Sequence, residues 1–176
     1  LAIGLSTRGA VRFFFKRDLR GAAADLERAL SLLPSYSLAM LSLANVCAVR
    51  RQFDEAAAWM DQAQLVDPLD VGINMNIGDH RILQRRYVAA IAALERALEI
   101  SPGHRPSQLR LSWALALDGQ TAAAHRLLSE IGPSGSGDVG WHEYSALVAG
   151  AGNDREAALE HYEILHGMDL QKRVPP

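Results

Sequence analysis

The pentapeptide LERAL stands at residues 26–30 and again at residues 94–98, a separation of 68. Midway between the copies, residues 60–64 read MDQAQ, which keeps only the alanine of the pentapeptide. Ala29, Ala63 and Ala97 therefore recur every 34 residues, and Pro34, Pro68 and Pro102 keep the same stride. A third column holds Ala22, Ala56, Ala90, Ala124 and Ala157, at spacings of 34, 34, 34 and 33. A fourth holds only small residues: Ala10, Ala44, Gly78, Ser112 and Ser145. One such column could arise by chance in an alanine-rich chain; four in one register point to a repeat.

The columns have a physical meaning. In AIAALERALEI (90–100), Ile91, Leu94, Ala97, Leu98 and Ile100 fall on one apolar helix face. Small residues at fixed places let a second helix approach that face closely. Proline after a helix lacks an N–H and drives the residue before it out of helical backbone, so it ends one unit and opens the next. The reading is ten helices, roughly 4–16, 19–33, 36–49, 52–66, 70–84, 86–99, 105–118, 120–131, 139–150 and 153–166, with no convincing strand. Gly119 and Gly152 are expected in left-handed backbone at two of the turns inside units; Arg17, Arg51 and Arg85 stand at the other three. The stretch GPSGSGDVG (132–140) reads as the one clear loop.

A stride of 34 residues with helix–turn–helix units resembles the tetratricopeptide repeat (TPR) family. The resemblance is strongest in the second helices, AAADLERALSLLP, EAAAWMDQAQLVDP and VAAIAALERALEISP. In the first helices most of the family's Trp, Leu and Tyr positions are replaced, although Leu43 and Leu111 survive. The last two units lack the closing proline of the others and carry Ile131 and Ile164. The resemblance implies an all-α solenoid of about five antiparallel helix pairs in a right-handed superhelix. The chain would be a single domain, 1–176, with units at about 3–36, 37–70, 71–104, 105–137 and 138–170. The stretch DPLDVGINMNIGDHRILQRRYVAAIAALERALEISP resembles more narrowly the repeat region of bacterial multidomain regulators, in which a winged-helix or nucleotide cyclase domain precedes the repeats. With Leu1 as its first residue, the sequence reads as a piece of such a longer protein.

The family resemblance places a peptide-binding groove along the first helices. By register its residues are Asn45, Met75, Asn76, Asp79, Leu109, Arg110 and Trp113. Asn45, Asn76 and Arg110 match three positions of the clamp with which some relatives hold a peptide carboxylate; Leu41 and Pro106 stand where that clamp has lysines. Phe13, Phe14 and Phe15 point three ways around a helix, so one of them is a candidate partner or dimer contact. The neighbouring Arg8, Arg12, Lys16, Arg17 and Arg20 make the N-terminus locally basic.

The remaining features favour binding over chemistry. The formal charge of −2 argues against a nucleic-acid binder. A single cysteine, Cys47, excludes an intrachain disulfide and a cysteine-based zinc site, and its position reads as core. No run of 18 apolar residues suggests a membrane span. His161 and His166 lack the spacing of a zinc helix, and no serine–histidine triad is legible, so no catalytic residue, metal or cofactor is assigned. The expected function is a non-catalytic module that binds a protein or peptide, as the sensing part of a bacterial cytoplasmic regulator. Self-association and service as the regulatory region of a nucleotide cyclase are the alternatives.

Overall fold

The computed structural model describes residues 1–135 and 138–173, with side chains described through Met168. Ten α-helices follow one another, with no strand among the described residues: α1 Ala2–Phe14, α2 Leu19–Leu32, α3 Ser37–Val49, α4 Phe53–Val66, α5 Val71–Leu83, α6 Tyr87–Ile100, α7 Arg105–Leu117, α8 Thr121–Ile131, α9 Val139–Ala151 and α10 Arg155–Arg173. Their bounds lie within about two residues of the sequence reading, except that α10 continues to Arg173. The chain falls into two compact units, Leu1–His80 and Arg81 onward.

The alanine columns are where helices touch. In the first unit, Ala22, Leu26 and Ala29 of α2 and Ala56 and Ala63 of α4 are fully buried. There α2 packs on α1 and α3, α1 on α3, and α3 on α4. The helices come close at Gly9, where a Cβ would lie 2.9 Å from Leu26 Cγ and 3.2 Å from the Ala22 carbonyl oxygen. In the second unit α6 packs on α7, α7 on α8 and α9, and α9 on α10. Ala90, Leu94, Ala97, Ala114, Ala124 and Val148 are fully buried there.

Arginine pairing adds to the first unit. Arg8 donates to both oxygens of the buried Asp25, at 2.8 and 2.6 Å, and Arg12 lies 3.1 Å from it. The hydrogen bond from Arg8 holds the Asp25 carboxyl below its usual range. Two of the five N-terminal cations thus clamp α1 to α2 rather than face a partner.

The helix ends obey the repeat more strictly than the sequence columns suggest. Arg17, Arg51, Arg85, Gly119 and Asn153 have φ of 51°, 63°, 58°, 85° and 60°. They are spaced by 34 throughout. The fifth left-handed residue is therefore Asn153, not Gly152, whose φ is −80°. The last four turns share one bonding pattern. In the second turn the amides of Arg51 and Gln52 donate to the carbonyls of Ala48 and Cys47, at 2.8 and 2.9 Å. The same two bonds recur at Arg85 and Arg86, Gly119 and Gln120, and Asn153 and Asp154.

This register corrects two column members. Ala124 N donates to Gln120 O and Ala158 N to Asp154 O, so Ala158 and not Ala157 continues the third column. The caps Tyr36, His104 and Asp138 place Ser145 with Leu43 and Leu111, and the small residue of the fourth column is Ala146. Both differences are slips of one residue, and both fall after the loop that follows the shortened fourth unit.

Before each repeated proline, Leu33, Asp67 and Ser101 have φ near −140°, the extended backbone that a following proline requires. The fourth unit closes differently. Its second helix, α8, has 11 residues and ends at Gly132, φ 57°, directly before Pro133. That unit does carry a closing proline, moved forward with the shortened helix. No helix among the described residues is long and apolar enough to cross a membrane.

Candidate functional site

Within the first unit, first helices of consecutive pairs border a cleft of about 420 Å³. Ser6, Thr7, Ala10 and Phe14 of α1 line it, with Leu38, Leu41, Ser42 and Asn45 of α3 and Asn76 of α5. The α3 residues recur at i, i+3, i+4 and i+7 and so share one face. The hydroxyls of Ser42 and Thr7 donate to Leu38 O and Ile3 O in their own helices, at 2.8 and 3.0 Å. Their oxygens keep acceptor capacity toward the cleft.

The two asparagines are engaged at opposite ends of their amides. Asn45 Oδ1 meets His80 Nε2 at 3.3 Å. Asn76 Nδ2 donates to Gly72 O at 2.8 Å. What remains is a donor end on Asn45 and an acceptor end on Asn76, the pair of functions that a peptide backbone also carries.

Other residues read from the register lie elsewhere. Met75 and Asp79 are half-buried on α5 and do not line this cleft. Arg110, on α7 of the second unit, donates to Pro106 O of its own helix at 3.1 Å. Trp113 packs edge to face on Tyr144, with ring centroids 6.3 Å apart. Leu109 is a correction. It is 6% exposed and packs with Ala116, Ala124, Leu128 and Val148, so it belongs to the core of the second unit and offers a ligand little surface. A leucine one position from the polar stripe satisfies the sequence register for either place.

The N-terminal rings separate as a helix requires. Phe13 is half-buried, while Phe14 and Phe15 are 66% and 82% exposed. Phe13 and Phe14 meet edge to face with centroids 4.8 Å apart. Cys47 is buried, and burial raises its thiol pKa to about 11, so it is protonated at neutral pH.

Two of the six histidines, His142 and His161, form a pair, and His104 Nδ1 meets Ser107 Oγ at 2.8 Å. His142 Nδ1 and His161 Nδ1 are 3.1 Å apart, with Trp141 edge-on to both rings. Ser145 and His125 line the same small cleft as His161, but Ser145 Oγ is buried with no hydrogen-bond partner, so no serine–histidine pair forms there. No group of three or more His, Cys, Asp or Glu among the described residues could hold a metal ion.

Burial first, and then His142, lower the His161 pKa from its usual value. The folded state therefore disfavours the charged ring. Its contribution to stability is complete above the unfolded pKa of about 6.5 and is lost as pH falls toward the lower folded value. Melting temperature should drop as pH falls below about 6.5. His161→Gln should flatten that drop, and an equal drop in the variant would reject the pair as its source.

Two family models, each described as Tetratricopeptide repeat, match the chain, over residues 8–65 and 81–149. The chain belongs to the tetratricopeptide-repeat family. Solved structures extend the likeness over nearly its whole length. PilW, described as a widely conserved type IV pilus biogenesis factor, superposes with a TM-score of 0.81 at 20% identity, over 95% of this chain and 77% of that one. A thermophilic TPR protein of Thermus thermophilus gives 0.78 at 18% identity, over 98% and 96%. YrrB, described as a TPR protein with an unusual peptide-binding site, gives 0.65 at 19% identity, over 96% and 86%. At such identities the likeness shows the fold: this chain is all-α, of the TPR solenoid class. No curated protein matches the chain in sequence.

Proposed function

We propose that this TPR protein is a non-catalytic interaction module whose first unit holds an extended peptide in the Asn45–Asn76 cleft. The observation that carries the reading is the pairing of one donor amide and one acceptor amide across a mixed polar and apolar cleft. An extended peptide presents alternating N–H and C=O groups, so two asparagines can fix its register while Leu38 and Leu41 receive an apolar side chain. Peptide binding by YrrB, a structural neighbour, agrees with this use of the fold. Met75 and Asp79 of the same unit would serve a longer ligand as secondary contacts, while Arg110 and Trp113 belong to the second unit. In a cytoplasmic regulator of the kind the 67–102 stretch resembles, capture here would set the state of an attached output domain.

The test is a peptide library displayed on phage and panned on the wild-type protein. The selected peptide is then titrated against the Asn45→Ala/Asn76→Ala double variant. Two lost hydrogen bonds should weaken binding by about tenfold to a hundredfold. An unchanged affinity would reject this cleft as the site.

A further inference from the structure

A different surface of the first unit carries its own argument. We propose that the cleft at the C-terminal end of α1 docks an acidic peptide segment bearing one aromatic or branched aliphatic side chain. The cleft holds about 320 Å³ and is lined by Phe13, Phe14, Leu19 and Val49, with Arg17 at its edge. That volume is at the small end of ligand pockets, enough for one large side chain. Its lining stays open: Phe14 is 66% exposed and Val49 57%. Apolar surface left exposed around a concavity marks an interaction site.

Charge selects the occupant. Lys16, Arg17 and Arg20 around the first turn and Arg50 and Arg51 in the second are all exposed. Arg50 reaches back to donate to the carbonyl of Leu19, a cleft residue, at 3.0 Å. These five cations outnumber the three acids nearby, Asp18, Asp54 and Glu55. Asp18 accepts from Gly21 N at 2.9 Å as the cap of α2, Glu55 accepts from Gln52 at 2.9 Å, and Asp54 sits in the first turn of α4, where it complements the helix dipole. The molecule as a whole is slightly acidic, at −2, so this concentration of cations is local. An apolar hole with a basic rim complements an apolar side chain flanked by carboxylates.

Two other occupants fit less well. The Phe13 and Phe14 rings meet at 80°, so they offer no shared flat platform on which nucleobases could stack. A lipid surface needs a protruding apolar face, whereas this one is hollow.

The test is fluorescence anisotropy with a labelled synthetic peptide, Glu-Asp-Glu-Phe-Asp-Glu-Asp, on the full chain. Phe14 also borders the Asn45–Asn76 cleft, so the variants avoid it. Binding should weaken as salt rises. It should fall at least about tenfold when the peptide's Phe is replaced by Ser, or when Val49→Glu puts a carboxylate on the lining. Arg17→Gly, which suits the left-handed backbone and removes the charge, should weaken binding severalfold. The Asn45→Ala/Asn76→Ala variant should bind this peptide normally, which separates the proposal from the function proposed above. Val49 is exposed at the end of α3, so both variants should keep the wild-type circular dichroism. Four results would each overturn the proposal: equal binding of the Ser peptide, equal binding by folded Val49→Glu, preference for oligo(dT) or phosphatidylserine vesicles, or a dimer in sedimentation that Val49→Glu dissolves without peptide.

Discussion

Replacing Leu94 with alanine should destabilise the protein by about 2–5 kcal/mol. Leu94 opens the second LERAL and is 0% exposed. It lies one helical turn from Ala90 and three residues before Ala97, both also fully buried. Those alanines bring the neighbouring helix close, so the site has little freedom to collapse around the lost carbons. The adjacent Glu95 is exposed, and Glu95→Gln should change stability by no more than about 0.5 kcal/mol. Urea denaturation followed by circular dichroism measures both, provided the slope with urea is unchanged. Equal shifts in the two variants would mean that the repeat columns do not mark helix contacts.

The second large effect is expected at Asp138→Ala, at about 3 kcal/mol. Asp138 caps α9 by accepting from Trp141 N at 3.0 Å. It also accepts from Ser134 N and Oγ, both at 2.9 Å, and from Arg105. Loss of a cap costs about 0.5–2 kcal/mol, and loss of a charged hydrogen-bond partner about 1.5–3. Arg105 also donates to the carbonyl of Gly132, at 2.8 Å, so the one carboxylate gathers the end of α8 and the start of α7 and α9. The backbone amides of Ser134 and Trp141, with Arg105, hold the Asp138 pKa well below the usual carboxylate range. Its stabilisation is therefore present above the unfolded pKa of about 4 and lost as pH falls below it. Asp138→Asn should keep part of the cap, lose less stability than alanine, and remove this share of the acid sensitivity. An alanine variant that melts like wild type at neutral pH would show that the carboxylate is idle.

The fold was legible because its signal is repeated. Ala22, Ala56 and Ala90 report one packing distance three times, and Pro34, Pro68 and Pro102 report one stop three times. A single alanine carries no such information, and the register slipped by one residue where the fourth unit shortens. The left-handed position at Asn153 was hidden by the glycine beside it, since residue type favours Gly152 while the hydrogen-bond ladder favours its neighbour. The proposed site was legible in part. Register put Asn45 and Asn76 on first helices, and they share a cleft. Register could not tell that Leu109 faces the core, nor that Ser6, Thr7 and Tyr36 border the cleft, because their positions depend on how whole helices lean together. The basic N-terminus was visible as composition, but its split into Arg8 and Arg12 on Asp25 and the exposed cations beyond depends on one buried carboxylate.

The turns also bear on the order of assembly. Arg17, Arg51 and Arg85 hold a backbone conformation that costs an L-residue about 1 kcal/mol or more, while Gly119 holds it freely and Asn153 with little penalty. That cost weighs against the arginine-closed hairpins, although in α1–α2 the pairing of Arg8 and Arg12 with Asp25 opposes it. The α7–α8 hairpin, closed by Gly119, is the better nucleus, and helices would then be recruited outward from it.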